Sequence, residues 1–414
     1  GCCCLRSIIL LLSSLTDQHC NIGLMSQHFK SHAHRCGEAL LENIIPFWEN
    51  YSIDEQNGGY YTCLDRAGNV YDTDKFIWLQ ARQAWTFSML YNRVENHDRW
   101  LRIAESGIRF LIDHAMSDNG SFYFSTTCTG TPLIAPYNIF SDCFAAMAFS
   151  QYAKACGDQK ISDLAKRTYR NIGSRKQNPK GIWNKATGNR PMKDFALPMI
   201  LSNLVLEMEH LLSKDEVEET IDHCIHEVLT VFHNPDNGLI HEYVSPDGRF
   251  LDTFEGRLIN PGHAIEAMGF MLDLGARRKD KDLISQATDH IISLLEYGWD
   301  EQHQGIFYFL DAKGNPPYQL EWDQKLWWVH LEALVALSKA LKFSDSATII
   351  EWYERVYDYT WSHFPDPEYG EWFGYLNRQG VPHLTLKGGK WKGCFHVPRA
   401  LLQCWQSLSN HSAI

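Results

Sequence analysis

The chain has 414 residues, a formal net charge of −12 and 44% hydrophobic residues. That charge argues against nucleic acids and anionic membranes as partners, because both demand clustered Lys and Arg. Its 14 Trp and 18 Tyr suit a pocket that stacks on sugar rings, although aromatic residues mostly fill cores.

The chain begins with Cys2-Cys3-Cys4, Arg6 and an apolar run from Ile8 to Leu12. A membrane span needs about 20 apolar residues, and a secretory leader needs a longer apolar core and a small-residue cleavage site. Neither pattern is met. Residues 1–24 are therefore read as a poorly ordered or non-native extension, Met25 as the functional start, and residues 25–414 as one domain. No Ser/Gly/Pro-rich linker or charge block divides that remainder.

From there a glycine turn followed by aromatic or apolar residues recurs six times. It appears as Gly58-Gly59-Tyr60-Tyr61, Gly120-Ser121-Phe122-Tyr123, Gly181-Ile182-Trp183, Gly238-Leu239-Ile240, Gly305-Ile306-Phe307-Tyr308 and Gly370-Glu371-Trp372-Phe373. Successive markers from Gly59 to Gly370 are 61, 61, 57, 67 and 65 residues apart, room for two helices and a short connection. Alternating stretches such as Tyr60 to Tyr71 and Phe307 to Gly314 read as small β-hairpins. Apolar residues at helical spacing follow, as in Trp327, Trp328, Leu331, Leu334, Val335 and Leu337. The expected fold is all-α: six helical hairpins closed into an (α/α)6 barrel, with short β-hairpins at one rim. An open solenoid is the alternative.

In a ring, residues at equal offsets meet at one end. Arg82, Asp142, His263, Glu332 and His396 all lie 22 to 27 residues past their marker glycine. Asp142 reads equally well as a helix cap. Asn260-Pro261-Gly262-His263 reads as a helix start, Asn260 capping and Pro261 in the first turn. The positive helix end then favours a neutral His263 ring, and Glu266, one turn on, is placed to fix its tautomer or touch a substrate hydroxyl. His396 stands just ahead of Pro398 at a matching entry point.

Two separated imidazoles suit inversion of a carbon beside a carbonyl, one removing a proton and the other returning one to the opposite face. Arg82 would stabilise the enediolate oxygen. The 12 Cys show no zinc-like grouping, and a reduced, cytoplasmic setting fits them. In His223-Cys224-Ile225-His226-Glu227 the zinc-protease pattern fails at Thr230, and no metal is expected in the chemistry.

Five segments in order resemble the N-acylglucosamine 2-epimerase family, also called the renin-binding protein family: Asp74 to Trp85, Pro136 to Asp142, Arg257 to Glu266, Trp322 to Glu332 and Lys392 to Arg399. The resemblance is expected to extend to cyanobacterial and other bacterial members in particular. The resemblance runs from about residue 35 onward. It implies the (α/α)6 barrel and reversible interconversion of N-acetyl-D-glucosamine and N-acetyl-D-mannosamine after ring opening. It maps the acid/base pair onto His263 and His396, the pocket arginine onto Arg82, and the pocket glutamates onto Glu266 and Glu332. Trp328 and Trp391 become candidate stacking walls, Trp328 reading equally as core. Asn138 becomes a candidate hydroxyl ligand or a loop anchor. Related cellobiose 2-epimerases and aldose-ketose isomerases carry a third His where this chain has Met192 to Ile200, an apolar stretch suited to an acetyl methyl.

The resemblance further implies a homodimer and ATP as an activator that is not consumed, with no required cofactor. The corresponding loop includes Arg175, Lys176, Asn178, Lys180 and Gly181, and a solvated connector is the competing reading. Leu197, Leu204 and Leu211 make a short heptad, better explained by barrel packing than by a coiled coil. Two rival functions stay open. A glycoside hydrolase would use Glu266, Glu332 and Asp142 as its carboxylates. An interaction module would keep its binding without either histidine.

Overall fold

The protein is described by a computed structural model covering residues 18–410, so the expected extension lies largely outside the described residues. Its first helix, α1 (Gln18–Glu38), runs through Met25 and continues by way of a wider turn into α2 (Ile45–Tyr51). Five antiparallel helix pairs follow: α3 (Ile77–Arg93) with α4 (Asp98–Phe110), α5 (Phe140–Cys156) with α6 (Gln159–Arg175), α7 (Ala196–Met208) with α8 (Lys214–His226), α9 (Pro261–Arg278) with α10 (Lys281–Gly298), and α11 (Trp327–Ala340) with α12 (Ala347–His363). The last helix, α13 (His396–Ser409), packs on α1. Among the described residues the cysteines are free thiols, and no helix is long and apolar enough to cross a membrane.

Burial separates two layers. Every residue of α11 is buried, whereas α4 buries only Trp100, Ile103, Ala104, Gly107, Ile108 and Phe110, the stripe expected of an outer helix. The inner helices α3, α5, α7, α9, α11 and α13 pack side by side in sequence. The ring closes where Thr86 Oγ1 of α3 donates to the Cys394 carbonyl just ahead of α13, at 2.8 Å, and Trp85 meets Phe395 at 5.3 Å between ring centroids. The architecture is the expected (α/α)6 barrel, not an open solenoid. Leu197 and Leu204 are buried in barrel packing.

The six marker glycines all adopt positive φ, from 52° at Gly181 to 81° at Gly120, a conformation other residues resist. This is why the motif could be counted. The short strands at the rim do more than form local hairpins. Lys75–Phe76, directly ahead of α3, pairs with Ser125–Thr126 beyond α4, and Lys325–Leu326 pairs with Tyr375–Leu376, so the small sheets stitch one repeat to the next.

Three fully buried lysines pin the marker turns at this rim. Lys75 donates to Asp54 at 2.7 Å and to the Gly58 carbonyl at 2.6 Å. Lys325 reaches Asp300 at 3.0 Å, and Lys387 reaches Asp366 at 2.8 Å. In all three the lysine is fully buried and the aspartate also accepts from turn amides. Against the cost of burial, these donors hold the three carboxyls below the ordinary carboxylate range.

Candidate active site

The outer helices α4, α6, α8, α10 and α12 begin with side-chain caps, as in the Ser213–Glu216 capping box. Of the inner helices only α9 does, through Asn260, whose Oδ1 accepts from the His263 amide at 3.1 Å. The others rise straight from the rim. In α3, α5 and α11 a polar side chain near the start ties down the marker turn instead: Gln80 Oε1 accepts from Tyr60 N at 2.8 Å, Asp142 Oδ2 from Phe122 N at 3.4 Å, and His330 Nε2 from Ile306 N at 2.9 Å. Two residues later, about 200° around the helix, the chain faces the axis. Those positions are Arg82 and Phe144, on the cavity wall, and Glu332, which lies just behind it.

Asp142 is thereby corrected. It anchors the rim, pairs with Arg175 at 2.7 Å and does not line the axial cavity, so it is no partner for a hydrolytic carboxylate pair.

The cavity encloses about 530 Å³ and is lined by Arg82, Asn138, His263, Glu266, Trp328, Trp391 and His396, all anticipated from sequence. Asn138 Oδ1 accepts from Phe140 N at 3.1 Å, so that oxygen holds the loop. Trp328 lines the cavity and is also part of the core. Only 8% exposed, it packs against His263 at 5.1 Å and His396 at 5.9 Å between ring centroids. Gly262 permits this approach, since a Cβ there would stand 2.7 Å from Val329 Cγ2 and 2.9 Å from the Trp328 ring. Trp391 sits half-exposed at the mouth, edge-on to Trp78, another lining residue.

Each histidine has its Nδ1 occupied by a carboxylate, leaving Nε2 for the cavity. His263 Nδ1 lies 3.1 Å from Glu242 Oε1, and His396 Nδ1 lies 2.9 Å from Glu332 Oε1. Two expectations change here. Glu242, absent from the sequence-derived set, orients His263 in place of Glu266. Glu332 stands behind His396, outside the cavity wall, where it also accepts from Arg399 Nη1 at 2.6 and 2.8 Å.

The two carboxylates differ in effect because only one is neutralised. Burial works against a charged His263, but Glu242, Glu266 and Asp194 outweigh it and raise the pKa, so the expected lowering by the helix end does not prevail. At His396 burial prevails, and with Arg82 and Arg399 nearby the pKa falls to about 4. Arg399 overcomes the burial of Glu332 and keeps it ionised, while Glu266, buried and repelled by Glu332, is pushed upward. Arg82 stacks among Phe144, Phe395 and Trp78 at 4.0, 4.6 and 4.7 Å. Burial lowers it to about 9, still a cation at neutral pH. Its Nε and the Nη2 of Arg399 are buried without protein partners, donors available to a ligand oxygen.

The opposite wall is apolar, with Met147, Met199, Ile200 and Leu204. Tyr308, Glu321 and Gln324 complete the rim side. The suspected nucleotide loop lies elsewhere, beside a second hollow of about 860 Å³ lined by Arg175, Asn178, Lys180 and Gly181 but not by Lys176.

A closed helical ring with two carboxylate-backed imidazoles and two arginines in one aromatic cavity makes an (α/α)6 barrel with a candidate acid–base site on its axis. The chain belongs to the N-acylglucosamine 2-epimerase family, whose sequence model matches residues 59–400. It is 38% identical over 377 residues to N-acylglucosamine 2-epimerase of Rattus norvegicus, covering 89% of this chain and 90% of that protein. It is 26% identical over 385 residues to cellobiose 2-epimerase of Dictyoglomus turgidum, covering 88% and 96%. In fold it matches the solved cellobiose 2-epimerase of Bacillus thermoamylovorans B4167, with a TM-score of 0.80 at 20% identity over 91% of this chain and 99% of that one.

Proposed function

We propose that this protein is an isomerase that reversibly epimerises N-acetyl-D-glucosamine to N-acetyl-D-mannosamine at carbon 2. The observation that carries the reading is the pair His263 and His396, both on one cavity, both backed at Nδ1 and both against Trp328. With the sugar ring open, the aldehyde acidifies carbon 2. Neutral His396 takes that proton through Nε2, Arg82 and Arg399 hold the enediolate oxygen, and cationic His263 delivers a proton to the opposite face. The reverse reaction starts from neutral His263 and protonated His396. Glu266, close to both and raised by burial, is suited to carry the proton that resets the pair. The apolar wall of Met199 and Ile200 receives the acetyl methyl.

The test is epimerisation in heavy water, followed by NMR. Product labelled at carbon 2 is expected, and His263→Ala and His396→Ala should each abolish both labelling and turnover. Near-normal turnover in both variants would overturn the reading. Preference for cellobiose over the N-acetyl sugar would assign the chain to the other substrate class.

A second reading concerns the hollow beside the loop. Its size, with Lys180, Asn178 and the half-exposed Trp183 ring on its wall, supports binding of ATP as an unconsumed effector. Arg175 is already committed to Asp142 and contributes less. If ATP alters neither turnover nor melting temperature, the loop is a connector.

A further inference from the structure

Away from the axis, α1 carries His28 and His32 four residues apart, on one face of the helix and opposite α12. The two rings lie 4.3 Å apart between centroids, and His28 Nε2 is 2.8 Å from Glu354 Oε1 of α12. One donor atom from each of His28, His32 and Glu354 lies within 4.8 Å of the others. None of the three lines the axial cavity.

His32 is held more firmly than an ordinary surface histidine. Its ring lies flat on Tyr357, at 3.7 Å and 5°, and its Nδ1 is 3.1 Å from the Tyr353 hydroxyl. When Nδ1 donates to that hydroxyl, Nε2 keeps the free lone pair, the arrangement that orients imidazoles on metals. Asp358 adds negative charge at His28, and Arg35, over the Tyr357 ring at 5.8 Å, adds positive charge at His32.

The geometry points to a site for a divalent transition-metal ion, zinc in the first place, held by His28, His32 and Glu354 and joining the first helix to the last outer one. Two imidazoles and a carboxylate, with water in the fourth position, make an ordinary zinc donor set. The nitrogen ligands disfavour calcium and magnesium. On binding, the proton shared between His28 and Glu354 leaves to solvent.

Chelator-treated full-length protein titrated with zinc sulfate in a calorimeter should bind one ion at this site and melt at a higher temperature. His28→Ala, His32→Ala and Glu354→Gln should each weaken that binding by roughly 10- to 100-fold or more. Glu354→Gln should leave epimerase turnover unchanged. His34→Ala, whose ring pairs with Glu38 instead, should bind normally. His396→Ala should also bind normally, which separates this site from the buried group of Glu266, Glu332 and His396. The proposal fails if no zinc binds, if binding survives all three ligand changes, or if His396→Ala abolishes it.

Discussion

Replacing Glu242 by Gln keeps the size of the side chain and removes the charge that faces His263 Nδ1 at 3.1 Å. The pair is largely shielded, with side chains 27% and 9% exposed, so solvent screens little of the interaction. A hydrogen bond to a charged group contributes about 1.5–3 kcal/mol, and 1.36 kcal/mol is one pKa unit, so the His263 pKa should fall by roughly one to two units. Because that pKa is raised in the native enzyme, the cationic acid form is present below it and is lost as pH rises through it. In the variant this loss begins at lower pH. The alkaline limb of the kcat/KM profile should move acidward by the same amount, and the rate above that limb should fall roughly 10- to 100-fold. The acid limb, set by His396, should stay. An alkaline limb that does not move, whatever the drop in rate, would refute the claim that Glu242 sustains the charge on His263.

Other consequences are equally direct. Arg399→Met removes the cation that neutralises Glu332, so the His396 pKa should rise from about 4 and the acid limb of the pH–rate profile should shift upward. Gly262→Ala forces a methyl against Val329 and Trp328. A destabilisation of about 1–3 kcal/mol is expected in urea melts, together with a fall in kcat from displacement of the indole that supports both histidines. Lys75→Met leaves Asp54 buried without its ammonium and should cost about 3–5 kcal/mol in the same assay, with catalysis retained in the surviving folded fraction. Asp54, Asp300 and Asp366 have lowered pKa values, so their contribution is complete above the ordinary carboxylate pKa of about 4 and is lost as pH falls below it. Unfolding free energy should therefore drop between about pH 4 and pH 2, which urea melts across that range would measure.

The architecture was legible in the sequence because the repeat is marked by a backbone requirement. A glycine at positive φ opens each rim turn, and few residues substitute for it. The inner-helix starts then follow at similar intervals, and His263, His396 and Arg82 line one cavity. Counting offsets could not resolve positions two residues apart. Asp142 and Phe144 fall on opposite sides of α5, and a count accurate to a few residues does not tell the rim anchor from the cavity wall. Glu242 was missed for another reason. It comes from the irregular rim segment ahead of α9, and its contact with His263 exists only once the small sheets have formed. Glu332 was assigned to the cavity because nothing local in the sequence announces that Arg399, 67 residues on, draws it back.

The lysine–aspartate clasps are not spread evenly around the ring. The three fully buried ones belong to the first, fifth and sixth turns, which flank the junction where the two ends of the polypeptide meet without a covalent link. A toroid made from an open chain should be weakest at that junction, where fraying can start from either end. Concentrating low-dielectric charge pairs there hardens the joint and moves the site of first opening to the second through fourth units, whose exposed loop at residues 176–192 lacks such pins. Amide exchange among the described residues should accordingly be fastest in the middle units, and α3, α11 and α13 should be among the last elements to let go.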